Sequence, residues 1–177
     1  MSSFVGDRRL IYEGRKINLA LQEVVTRDGA TIEREVVLHP GAVAILAWVD
    51  RDHLCLLKSV RYAVGRTLVE VPAGTLDPGE TPEQTALREL SEETGYRAGR
   101  IESLGAWWVS PGILDERMYL FACEDMTPGA PNLQPDERLE PIIVHRDEAL
   151  AMVADGRIDD AKSMLAILLG VRPRPTS

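Results

Sequence analysis

Between Asp7 and His39 the stretches LIYEG, KINLALQEVV and TIEREVVLH alternate apolar with polar residues, the period of strands that bury one face. Arg27-Asp28-Gly29 separates the second from the third with a hairpin turn signal. The expected product is an antiparallel strand ribbon over residues 1–40. It is either an extra sheet on the same subunit or an arm that packs on a partner, and a dimer arm is the expectation. The pattern then changes. Residues 42–48 (AVAILAW) and 54–60 (LCLLKSV) are continuous apolar runs around Asp50-Arg51-Asp52, as in a hairpin buried on both faces at the centre of a sheet. Arg61 to Arg66 reads as a loop, and Thr67 to Val71 as a strand halted by Pro72.

A helix is predicted over Pro82–Thr94. Thr81 can cap it, Pro82 suits its first turn, Glu83 favours the positive end of its dipole, and Gly95 supplies the stop. Strands near 100–108 and 117–123 flank the loop Ser110 to Glu116, and the polar segment Asn132 to Arg138 leads into the strand LEPIIVH. Leu150, Met152 and Val153, then Met164, Leu165, Ile167 and Leu168, recur at helical spacing and predict two helices that cover the sheet. The tail RPRPTS reads as polar and disordered.

Composition narrows the class. With 177 residues, 45% hydrophobic and 27% charged, the chain suits one ordinary globular domain that needs neither disulfides nor structural metal to bury a core. No run of about 18 apolar residues and no apolar leader region is present, so neither a membrane span nor a secretory signal is expected. The expected location is cytoplasmic. Cys55 and Cys123 lie far apart in apolar runs and read as buried free thiols. A net charge of −8 disfavours nucleic acid as a partner, so a phosphorylated ligand needs metal ions and a few placed arginines to bring positive charge to it.

The candidate chemistry lies in Gly74 to Tyr96, GTLDPGETPEQTALRELSEETGY. At about 100° per helical residue, Glu89, Glu92 and Glu93 share one arc of the helix, while Leu87, Leu90 and Thr94 occupy another that packs on the sheet. Clustered carboxylates repel one another unless a cation sits among them. Oxygen donors of this kind suit a hard cation such as magnesium, which bridges carboxylates to phosphates and activates water. Taken alone, the same glutamates fit an ordinary solvated helix face.

Spacing decides between the two. Gly74, five residues, Glu80, seven residues, then Arg88-Glu89-Leu90-Ser91-Glu92-Glu93-Thr94-Gly95-Tyr96 resembles the Nudix box of the Nudix hydrolases at every specified position. Glu70-Val71-Pro72-Ala73-Gly74 before it, Ser110-Pro111-Gly112 after it and Asp160-Ala161-Lys162-Ser163 are similar to the ADP-ribose pyrophosphatase branch. The resemblance implies an α/β (α+β) fold, an α/β/α sandwich with a mixed central sheet over residues 41–177. It also implies metal-dependent hydrolysis of the pyrophosphate bond of ADP-ribose to AMP and ribose 5-phosphate. Glu89, Glu92, Glu93 and the Ala73 carbonyl would ligate Mg2+, with Mn2+ a possible substitute, while Glu80 and Arg88 brace the loop and helix.

By the same resemblance Glu137, together with Glu93, is catalytic, and Glu137 is the base. Glu140 competes for that role and Glu116 is a third candidate, more suited to holding substrate or a loop. Substrate contacts fall to Arg34, Arg61, Glu70, Pro111 and Glu116, with Arg34 reaching across a homodimer interface. Trp107 and Trp108 are expected in the core or an interface, and His39, His53 and His145 as structural residues. Two alternatives remain: another nucleoside diphosphate sugar such as GDP-mannose as substrate, and a sensor that binds such a nucleotide without hydrolysing it. The intact carboxylates and the lack of an attached DNA-binding segment speak against the sensor.

Overall fold

The computed structural model describes residues 3–135 and 137–171; Asp136 and the tail read above as disordered lie outside the described residues. The chain divides into two units, one of residues up to Gly41 with Trp107–Met118, the other of Ala42–Ala106 with the residues from Tyr119 onward.

The first unit is built on strands β1 (Ser3–Glu13), β2 (Asn18–Val25) and β3 (Thr31–Leu38), an antiparallel sheet in that order. The Arg27-Asp28-Gly29 signal makes its hairpin: Gly29 takes a φ of +86°, a torsion that glycine reaches without a Cβ penalty, and the Thr26 N–H meets the Ala30 carbonyl at 2.9 Å. Trp107–Met118 joins this unit through backbone bonds that no sequence period marks. Val37 donates to the Ile113 carbonyl at 2.8 Å and accepts from Asp115 at 3.0 Å. The Asp115 carboxylate then takes the His39 N–H and the Arg8 guanidinium. Leu10, Ile11, Tyr12 and Ile17 stay exposed on the ribbon. Trp108 is not a core residue: it is 54% exposed, with the Arg117 guanidinium 4.9 Å from its ring centre.

The second unit carries β4 (Ala42–Trp48), β5 (His53–Arg61), β6 (Arg66–Glu70), β7 (Ala73–Thr75), α1 (Pro82–Thr94), all but the last two residues of β8 (Arg100–Trp108), all but the first two of β9 (Arg117–Glu124), β10 (Leu139–His145), α2 (Arg146–Ala154) and α3 (Ala161–Gly170). The sheet order is β10-β5-β4-β9-β8, with β6 on β5 and β7 on β4. Every residue of β4 is buried, which is why its sequence is a continuous apolar run. Its odd positions Val43, Ile45 and Ala47 pack with Cys55, Phe121 and Cys123 against Ala86 and Leu90 of α1. Leu46, on the other face, lies against Gly170 of α3, so helices cover both sides in the α/β/α arrangement that the resemblance implies.

Local chemistry fixes α1. The Thr81 hydroxyl accepts from the Gln84 N–H and the Gln84 side chain accepts from the Thr81 N–H, a capping box, and Gly95 ends the helix at φ +78°. Two expectations about helix faces fail. Leu87 is 37% exposed, and α1 packs instead through Thr85, Ala86, Leu90 and Thr94. On α3 the buried face is Ser163, Ala166 and Ile167, which leaves Leu168 outside. Burial pushes the Cys55 and Cys123 thiols up to about 12, so neither is poised as a thiolate. His53 is held by the Asp50 carboxylate at 3.0 Å, His145 caps α2, and the His39 ring accepts the Gly41 N–H.

Candidate active site

Pro72 lies between β6 and β7, and its carbonyl accepts the Ile45 N–H at 2.9 Å. This short strand, hidden within the glycine turn of the sequence, pairs Ala73 with Ala44 and Gly74 with Val43. Its backbone becomes a wall for the α1 carboxylates. A Cβ on Gly74 would sit inside the van der Waals radius of the Glu89 carboxylate, so the position needs empty space and not an unusual torsion. Gly74→Ala should therefore displace Glu89, lower stability by about 1–3 kcal/mol as other overpacked sites do, and reduce kcat/KM at least tenfold. Thermal unfolding and steady-state kinetics at saturating magnesium check both.

Glu89 and Glu93 are 7% and 5% exposed. Burial pushes the Glu93 carboxyl up to about 8; Glu89 and Glu137 add to the rise, while the Ala73 N–H, 3.0 Å from Glu93 Oε2, and Arg61 oppose it. Burial likewise raises Glu89, against Arg88 and with Glu92 and Glu137. The neighbourhood is one of crowded negative charge.

Arg88 organises its rim. Its Nε and Nη2 hold both Glu80 oxygens at 3.0 Å, and Nη1 donates to Glu89 at 2.7 Å and to Glu92 at 3.1 Å. The Arg88 hydrogen bonds, joined by the Thr85 hydroxyl, keep Glu80 at about 2. Glu80 and Arg88 thus tie the loop before α1 to the helix. With Glu89 and Glu92 on Arg88 and Glu93 on Ala73, no three His, Cys, Asp or Glu side chains are gathered into one ligand set among the described residues.

Asn132 and Glu137 return to this site. The Asn132 N–H donates to the Glu92 carbonyl at 2.8 Å, and Glu137 closes a turn by accepting the Gln134 N–H at 2.8 Å. The charge of Glu137 reaches both Glu89 and Glu93. Glu140 faces elsewhere: it stands opposite Lys58 on the sheet and pairs with it at 3.2 Å, exposed.

Glu70 ends β6 and is 2% exposed. Arg61 Nε meets its Oε2 at 2.6 Å and Lys162 Nζ its Oε1 at 2.5 Å. Lys162 also contacts Asp160, the cap of α3, at 2.8 Å, and the Ser163 hydroxyl links that cap to the Val71 N–H. In the sequence Asp160-Ala161-Lys162-Ser163 carried part of the resemblance, but nothing there placed Lys162 beside Glu70. Arg34, Pro111 and Glu116 belong to the first unit: Arg34 exposed opposite Gln22, Pro111 in an exposed turn, and Glu116 half-buried 3.9 Å from the His39 ring.

A family model described as the NUDIX domain matches residues 38–166. The chain is 41% identical over 159 residues to an ADP-ribose pyrophosphatase of Bacillus subtilis strain 168, covering 89% of this chain and 86% of the relative. It is 38% identical over 159 residues, with the same coverage, to a methanol dehydrogenase activator of Bacillus methanolicus. A crystal structure of an ADP compounds hydrolase superimposes with a TM-score of 0.82 at 22% identity, covering 95% of this chain and 91% of that one.

Proposed function

The chain belongs to the NUDIX family, and we propose that it is a pyrophosphohydrolase that cleaves ADP-ribose to AMP and ribose 5-phosphate. One observation carries the reading: two nearly buried carboxylates, Glu89 and Glu93, seated against the β7 backbone. Oxygen donors among crowded negative charge, with burial raising the Glu93 carboxyl to about 8, suit a hard divalent cation, Mg2+ or Mn2+. Glu89, Glu92, Glu93 and the Ala73 carbonyl would hold it. The chemistry such an ion supplies when bound is neutralisation of pyrophosphate charge and activation of water.

The chain's own residues do the rest. Glu137, on the segment tied to α1, takes the proton of the attacking water. Arg61 offers a guanidinium to the anionic substrate, oriented by Glu70, and Arg34, Pro111 and Glu116 complete the substrate contacts. The proposal includes a homodimer formed through the ribbon, supported by its exposed Leu10, Ile11, Tyr12 and Ile17, and a cytoplasmic location, supported by the free buried Cys55 and Cys123. No helix among the described residues is long and apolar enough to cross a membrane.

A panel of ADP-ribose, GDP-mannose, NADH and diadenosine polyphosphates with Mg2+ or Mn2+ tests the substrate. The highest kcat/KM is expected for ADP-ribose, with AMP and ribose 5-phosphate in equal amounts. A rate far below those of the other compounds would sink it, and tight binding without product would make the chain a sensor.

A further inference from the structure

We propose that Lys162 is a positioning residue for Arg61: by occupying one oxygen of Glu70 it keeps Arg61 on a single hydrogen bond and leaves the guanidinium fork open to an anionic substrate. The inference rests on Arg61 being a substrate contact.

A buried carboxylate beside an arginine ordinarily takes it through two parallel N–H bonds. Glu70 does not. Its Oε1 is held by Lys162 at 2.5 Å, and Arg61 reaches only Oε2, through Nε at 2.6 Å. The two terminal amino groups of Arg61 make no hydrogen bond among the described residues, and the side chain is 42% exposed. Lys162 is itself fixed, 15% exposed and paired with Asp160 at 2.8 Å, and α3 is pinned to the end of β6 by the bond from the Val71 N–H to the Ser163 hydroxyl at 2.9 Å. The lysine and the arginine thus hold different oxygens of the same carboxylate.

Removing the lysine frees Oε1. Arg61 then gains its second bond to Glu70 and withdraws donors from the substrate, which weakens binding without touching the reacting atoms. For Lys162→Met the expectation is a KM for ADP-ribose raised about tenfold with kcat within about twofold, the split that marks lost substrate binding. Lys162→Arg should restore most of the affinity. In a Glu70→Gln background the same lysine change should add little, because residues acting through one partner are not additive. Should the methionine variant not fold, Lys162→Gln keeps a donor without the charge and should give an intermediate KM.

A crystal structure of Lys162→Met gives a readout independent of turnover. Arg61 in two-bond contact with Glu70 supports the proposal; Arg61 still bound through Nε alone overturns it. An unchanged KM, or an equal rise in KM when Glu70 is already glutamine, also overturns it. Failure of the parent protein to hydrolyse ADP-ribose would overturn the proposed function and leave this proposal to the position of Arg61 in the crystal.

Discussion

Glu93→Gln is expected to lower kcat by about three orders of magnitude, some 4 kcal/mol of transition-state stabilisation, while making the metal-free protein more stable. The two effects share one cause. Glu93 is 5% exposed and its carboxyl is pushed up to about 8 by burial, so at neutral pH ionisation works against the fold. Unfolded, it loses its proton near 4.5, the ordinary glutamate value; folded, near 8. Between these the folded protein binds more protons than the unfolded chain, so this contribution is full below about 4.5 and is lost as pH rises through 8. The loss amounts to a few kcal/mol, hence a melting temperature roughly 5–10 °C lower at pH 8 than at pH 5 in a chelator. Glutamine accepts the same Ala73 N–H without the charge and should flatten that slope, and magnesium should restore the parent at pH 8. Calorimetry of both proteins with and without magnesium checks this. A parent whose melting temperature does not fall with pH would show that burial at Glu93 does not oppose its charge.

Glu137→Gln should reduce kcat by about two orders of magnitude or more, the usual size of a general-base effect, with metal affinity largely kept. Glu140→Gln should stay near the parent. The difference rests on where each carboxylate points: Glu137 lies on a segment bonded to α1 and is felt by both Glu89 and Glu93, whereas Glu140 is exposed against Lys58. Turnover under saturating substrate, with magnesium titrations of each variant, separates the two. Loss of activity in Glu140→Gln with Glu137→Gln intact would reverse the assignment.

Much of this arrangement was legible in the sequence wherever the cause is local. Thr81, Pro82 and Gly95 set the ends of α1 through bonds to their own neighbours, and the apolar runs of β4 and β5 reflect burial on both faces. The spacing from Gly74 to Tyr96 resembled a family whose model matches residues 38–166. What stayed hidden depends on partners distant in the chain. β7 is only three residues long, too short to show a period, and exists because β4 is there to pair with it. Leu87 looked like a packing residue by type, yet the smaller Ala86 takes the contact with the sheet. The attachment of Trp107–Met118 to β3 and of Lys162 to Glu70 spans dozens of positions with no shared pattern.

That last attachment has a bearing on synthesis. Glu70 and Lys162 are 92 positions apart, and the ribosome makes them in that order. A nascent chain that has emerged through α1 already carries the whole Nudix-type stretch, but Glu70 still lacks its second cation and the end of β6 still lacks Ser163. On the roles proposed for Arg61 and Lys162, the arginine is aligned for substrate once the last helix arrives, so a ribosome-bound chain stopped before Asp160 would carry Glu89, Glu92 and Glu93 and is expected to grip substrate poorly.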